Sequence, residues 1–148
     1  MTDLLTKAQI NTNFSGSDQK EVLTKLANWA VELGIAVNAE QLVKDYQARE
    51  QESTTGFGNG IAIPHAKSNN IDHAAILVAR GTTAVEWASL DDKPVNVWIS
   101  LLVPDDQADT HLKLLAKLSR QLIHQDFIQL LQSGSADEIY TRITAIIS

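Results

Sequence analysis

The sequence predicts a single α/β domain, a mixed β-sheet flanked by helices. Apolar residues recur at helical spacing in two segments before residue 52 and in three after residue 107. Between them lie three strand-like runs, residues 61–63, 75–79 and 95–103, dominated by Val, Ile, Leu and Ala. Helical and strand-like runs alternate unevenly, two helices and then three strands before the next helix, which suits a mixed sheet better than a strictly alternating parallel one.

Residues 18–33 put Val22, Leu23, Leu26, Ala27, Ala30 and Leu33 on one helical face, and Gly34 follows where a left-handed cap fits. Asn38 with Gln41 forms a capping-box-like start for a second helix, whose stripe is Leu42, Val43 and Tyr46 and whose end falls near Gln51. Arg49 lies three residues after Tyr46, so it leaves the inner side of that helix in its last turns. Residues 53–60, Ser-Thr-Thr-Gly-Phe-Gly-Asn-Gly, suit a loop and no regular element. They open into Ile61-Ala62-Ile63, a short strand that Pro64 ends because proline has no N–H for the ladder. His65 is therefore expected at the end of a strand.

Residues 75–79 are nearly continuous in apolar side chains, as when both faces of a strand are covered, and residues 95–103 are rich in β-branched ones. After Pro104 the acidic stretch 105–109 leads into a helix bearing Leu112, Leu115, Ala116, Leu118, Leu122 and Ile123, with carboxylates at its positive end. Phe127, Ile128, Leu130 and Leu131 predict a short helix stopped by Gly134. Ser135 to Glu138 begin a last helix that buries Ile139, Ile143, Ile146 and Ile147. No repeat, low-complexity tract or linker divides the chain.

Composition narrows the function. The chain has 148 residues, 44% hydrophobic and 20% charged, enough for one core and far from the disordered class. A net charge of −6 repels polyanions, which argues against nucleic acid and for a partner with a basic patch. The apolar runs are too short to cross a bilayer, and the first residues lack the basic and apolar regions of a secretory signal, so a cytoplasmic location is expected. Cysteine is absent, which removes disulfides, thiolate metal sites and a cysteine nucleophile.

Residues 49–67 concentrate the remaining chemistry. A glycine-rich loop aims several backbone N–H groups at one point, hydroxyls add donors, an arginine binds phosphate bidentately, and His65 completes a phosphate site. The same residues admit a plainer role, with the glycines shaping a tight connection and Arg49 capping the carbonyls of its helix. His111 precedes Leu115, Leu118 and Leu122 by four, seven and eleven residues and should face inward. A helix N-terminus keeps such a histidine neutral and attracts anions, while a core histidine bonded to a carbonyl is the alternative. His73 and His124 have no comparable setting. A metal-dependent hydrolase built on His65, His73 and His111 with Asp72 or Asp109 is disfavoured, because the spacing matches no zinc motif.

Residues 53–67, from Ser53 through Gly56, Gly58, Gly60 and Pro64 to His65 and Lys67, resemble the phosphorylation-site signature of a known family. It is that of the enzyme IIA domains of the fructose/mannitol class in the bacterial phosphoenolpyruvate-dependent sugar phosphotransferase system. The resemblance extends to Arg49 and to His111, which opens an apolar helix after Val103-Pro104, and covers essentially the whole chain. It implies that His65 accepts a phosphoryl group at Nε2 from the carrier HPr and passes it to a cysteine of enzyme IIB. His111 would be a second active-site histidine, Arg49 a nearby positive charge, and Thr54, Thr55 and Gly58 phosphate contacts. No cofactor or metal is implied, and a chain without cysteine needs IIB on a separate chain or domain, with the membrane component IIC reached indirectly. Protein partners require His65 to be accessible in a shallow depression ringed by apolar residues such as Phe57. The nitrogen-related IIA proteins share a similar histidine signature and act as regulators, and this role stays open beside sugar transport.

Overall fold

Two strands, Ala75–Val85 and Val95–Pro104, are covered on both faces and form the middle of the fold in the computed structural model, which describes residues 4–147. In chain order the elements are β1 (Ile10–Phe14), α1 (Gln19–Glu32), α2 (Ala39–Glu52), β2 (Gly56–Gly58), β3 (Ile61–Ala62), β4 (His65–Ser68), β5 (Ala75–Val85), β6 (Val95–Pro104), α3 (Ala108–Gln121), α4 (Gln125–Ser133) and α5 (Ala136–Ile147). A short 3₁₀ turn, Lys7–Gln9, leads into β1. One mixed sheet runs β1-β5-β6-β3-β2, with β4 also paired to β6. The β5/β6 and β2/β3 pairs are antiparallel, and β1/β5, β3/β6 and β4/β6 are parallel. The predicted class, a mixed sheet flanked by helices, is what the chain adopts.

Strand alternation assigns each face its own helices. Ile76, Val78, Val97, Ile99 and Leu101 pack with Leu114, Leu118, Phe127, Leu131, Ile139 and Ile143 of α3 to α5. Leu77, Ala79, Trp98 and Leu102 pack with Val22, Leu23, Leu26, Leu42 and Tyr46 of α1 and α2. Burying each large apolar side chain contributes about 1.5–3 kcal/mol, so both helical layers are held against the sheet. The caps read from the sequence are present: Asp18 accepts from the Glu21 N–H and Asn38 from the Gln41 N–H, at 2.8 and 2.9 Å.

Four local expectations are corrected. First, β1 precedes both N-terminal helices; an edge strand with Asn11 and Asn13 exposed needs only Ile10 and Phe14 as buried anchors, too few to stand out as a pattern. Second, the glycine-rich segment is partly regular, because β2 and β3 form a hairpin through Asn59 and Gly60, both at positive φ (57° and 80°). Third, His65 opens β4 and does not end β3, for a reason that shapes the site. Fourth, the inward stripe of α3 is Leu114 and Leu118, followed by Leu122; Leu115 is half-buried, and Leu112 and Ile123 are exposed.

Candidate functional site

The site forms where α2 ends, where β3 gives way to β4, and where α3 begins. Pro64 has no N–H and so interrupts the regular ladder between β3 and β4, although its carbonyl still accepts from the Leu101 N–H of β6 at 3.2 Å; the Ile63 N–H faces the other side, bonding the Thr55 carbonyl at 3.0 Å. The register is the same on both sides, Ala62 opposite Trp98 and His65 opposite Leu101, so this is one strand line with a gap. The Ile63 carbonyl faces away from β6, and His65 Nδ1 donates to it at 2.8 Å.

This bond sets the tautomer. With the proton on Nδ1, Nε2 presents a lone pair, and the Arg49 Nε–H donates into it at 2.9 Å. Arg49 Nη1 donates to the Ser53 carbonyl at 2.8 Å beyond the end of α2, so one guanidinium both caps its helix and holds the histidine. The His111 ring stands 5.1 Å from that of His65 at 55°, and its Nε2 is buried without a hydrogen-bond partner.

A depression of about 430 Å³ is lined by Asp45, Ala48, Arg49, Glu52, His65, Ala66, Lys67 and His111. A more apolar one of about 180 Å³ shares Arg49 and His65 and adds Phe57, Ile63, Leu90 and Leu115. His65 is only 5% exposed and Arg49 covers its Nε2, so the ring lies deeper than the accessible histidine expected from the sequence. A cleft of about 620 Å³ on the far side of Glu50 and Thr54, lined also by Trp87 and Glu86, contains no histidine.

The structure brings together His65, Arg49 and His111, but places the other candidates differently. The Thr55 hydroxyl donates to the Glu50 carboxylate, which also accepts the Thr55 N–H, and the Thr54 hydroxyl donates to the Ala88 carbonyl. Both threonines border the apolar depression with their hydroxyls engaged in holding the loop. Gly58 borders neither depression and lies at φ 118° against Asp91. His124 is exposed and His73 bonds Asp72. Among the described residues, no group of three or more His, Asp or Glu is placed to hold a metal ion.

Sequence reasoning passed over Asp45, Ala48, Glu52 and Lys67. The signal was available: residues 45, 48, 49 and 52 share one helical face, and Lys67 is two residues from His65 on a strand.

Burial holds the His65 pKa down at about 4; the Ile63 carbonyl opposes this, and the charges of Arg49 and His111 add to it. His111 is lowered too, by burial first and then by Lys67 and Arg49. Because the folded pKa lies below the unfolded value near 6.5, the unfolded chain takes up a proton that the folded chain refuses. Stability from His65 is thus complete above about pH 6.5, falls as pH drops toward 4, and levels off below. Urea unfolding at pH 7 and pH 4 should show the wild type losing about 3 kcal/mol more than His65→Gln. Equal losses in the two proteins would refute this assignment.

An unprotonated imidazole nitrogen held beside an arginine, with a second histidine ring alongside, is an arrangement chemically suited to group transfer. The family described as "Phosphoenolpyruvate-dependent sugar phosphotransferase system, EIIA 2" matches residues 3–146, and this chain belongs to it, in the fructose/mannitol class of EIIA components. A PTS system fructose-like EIIA component of Escherichia coli (strain K12) is 34% identical over 144 residues, spanning 97% of each chain. The crystal structure of nitrogen regulatory protein IIA-Ntr from Neisseria meningitidis superposes with a TM-score of 0.87 at 25% identity, covering 98% of this chain and 97% of that one. The complex of enzyme IIAMTL and phosphorylated enzyme IIBMTL from Escherichia coli matches with a TM-score of 0.79, covering 95% and 97%; at 16% identity it shares the fold. Among the described residues, no helix is long and apolar enough to cross a membrane.

Proposed function

We infer that this chain, residues 1–148 acting as one EIIA domain, accepts a phosphoryl group from phosphorylated HPr on His65 and passes it to a cysteine of enzyme IIB during sugar uptake. The observation that carries this reading is the pair of bonds on one ring, Nδ1 to the Ile63 carbonyl and Nε2 to Arg49. The donor's N–P bond breaks as the Nε2–P bond forms, and Nδ1 keeps its proton throughout, so no base is required. Phosphoryl transfer depends on in-line positioning and on stabilising the equatorial oxygens. In this reading Arg49 and His111 Nε2 supply that stabilisation. The carrier works in the cytoplasm and reaches membrane-bound IIC only through IIB.

The similarity to a fructose-like EIIA component supports the transport role. The likeness to IIA-Ntr favours a second reading, a regulator that binds other proteins according to the phosphorylation state of the same histidine. One experiment tests both. With phosphoenolpyruvate, enzyme I and HPr, the chain should gain one phosphoryl group, and on mixing with a fructose-type IIB the label should move to the IIB cysteine. Retention of the label on this chain would favour regulation, and no labelling at all would overturn both.

A further inference from the structure

Arg49 occupies the nitrogen that phosphorus must reach. Its Nε–H donates into the Nε2 lone pair, which cannot serve a hydrogen bond and an Nε2–P bond together. The guanidinium therefore has to leave His65 as the phosphoryl group arrives. Asp45 lies four residues earlier on α2, on the same helical face and in the same depression, with the acidic residue N-terminal to the basic one, the favourable order. Its Oδ1 accepts from Gln41 Nε2 at 3.0 Å, while its Oδ2 is buried with no partner. A buried carboxylate oxygen is rarely left so. Among the described residues, no ion pair within 4.0 Å joins Arg49 to a carboxylate. Glu52, also in the depression, is exposed and stays hydrated.

Resting on the phosphoryl-carrier reading, we propose that Asp45 is a positioning residue, taking one edge of the Arg49 guanidinium when His65 Nε2 carries the phosphoryl group. The planar fork of arginine then bridges the Asp45 carboxylate and a phosphoryl oxygen. The bridge gives a reason for a carboxylate so near a developing dianion, where it would otherwise repel. Bonds balance as in the transfer itself: the donor N–P bond breaks, Nε2–P forms, Nδ1 keeps its proton and Arg49 keeps all of its own.

Asp45→Asn keeps an Oδ1 acceptor for Gln41 and removes the charge. With phosphorylated HPr as donor, this variant should show an unchanged KM and a kcat about tenfold lower, the scale of one charge-assisted hydrogen bond. Asp45→Glu should recover part of the rate. The Arg49 Nε resonance in ¹H–¹⁵N spectra should match wild type before phosphorylation, which also confirms folding, and differ from it afterwards. A rate loss without the spectral difference, or the difference without the loss, overturns the proposal, as does wild-type behaviour in both. If the wild-type chain accepts no phosphoryl group, the carrier reading falls and this proposal with it. If the wild type accepts the group and Asp45→Asn is indistinguishable from it, the positioning role alone falls.

Discussion

His65→Ala is expected to accept no phosphoryl group from phosphorylated HPr, where the wild type accepts one. The wild-type label should map to His65 and to neither His111, His73 nor His124. Of the four histidines, His65 has its ring tied at Nδ1 to a backbone carbonyl within its own strand line while Nε2 faces an arginine. His111 has a free Nε2, but the described structure gives its Nδ1 no carbonyl partner that would fix the tautomer. The label should vanish on mild acid and survive base, as a phosphorus–nitrogen bond does. His65→Gln serves as a second variant, keeping a polar side chain at a nearly buried position. Acid-stable phosphate on Thr54 or Thr55, or labelling that persists in both variants, would overturn the site and the function together.

How far the sequence could be read depended on how strongly each segment declares itself. The helices were legible because Leu23, Leu26, Leu42, Leu118, Phe127 and Ile143 bury in a 3.6-residue rhythm, and β5 and β6 because both of their faces are covered. Strand β1 was not, since an edge strand with Asn11, Thr12 and Asn13 between two anchors has no periodic signal. The hairpin at Asn59-Gly60 was legible in principle, because that dipeptide supplies the two positive φ angles a tight turn requires; the surrounding glycines obscured it.

The site divides along the same line. Arg49, His65 and His111 declare themselves through residue type and local spacing. The feature that fixes the His65 tautomer, the Nδ1 bond to the Ile63 carbonyl, depends on how the segment around Pro64 is held between β6 and Thr55. That is a tertiary fact, and Pro64 marks only where it happens. The engagement of the Thr54 and Thr55 hydroxyls by Ala88 and Glu50 is tertiary in the same way.

Arg49→Ala and His111→Ala should each slow phosphoryl transfer by about 10²–10³ while leaving the fold intact, the loss typical of one preorganised electrostatic stabiliser. The two differ in what else they disturb. Removing Arg49 takes away a charge that holds the His65 pKa down, so the acid limb of the transfer rate should move to higher pH in that variant. His111 lowers the His65 pKa as well, but as a weaker contribution than Arg49, so its variant should show a smaller displacement and mainly a lower plateau. Arg49→Lys should recover less than the charge alone would suggest, because an ammonium has no planar fork with which to span His65 and the Ser53 carbonyl. If both residues act on one phosphoryl group, the double variant should lose less than the product of the single losses. Single-turnover rates from phosphorylated HPr from about pH 3.5 to 8, a range that spans the His65 pKa of about 4, with thermal melts of each variant, test all of this. Wild-type rates in both single variants would leave Arg49 as a helix cap and His111 as a packed core histidine. Fully multiplicative losses would mean that the two contribute independently to acceptance from HPr and do not act on one shared phosphoryl group.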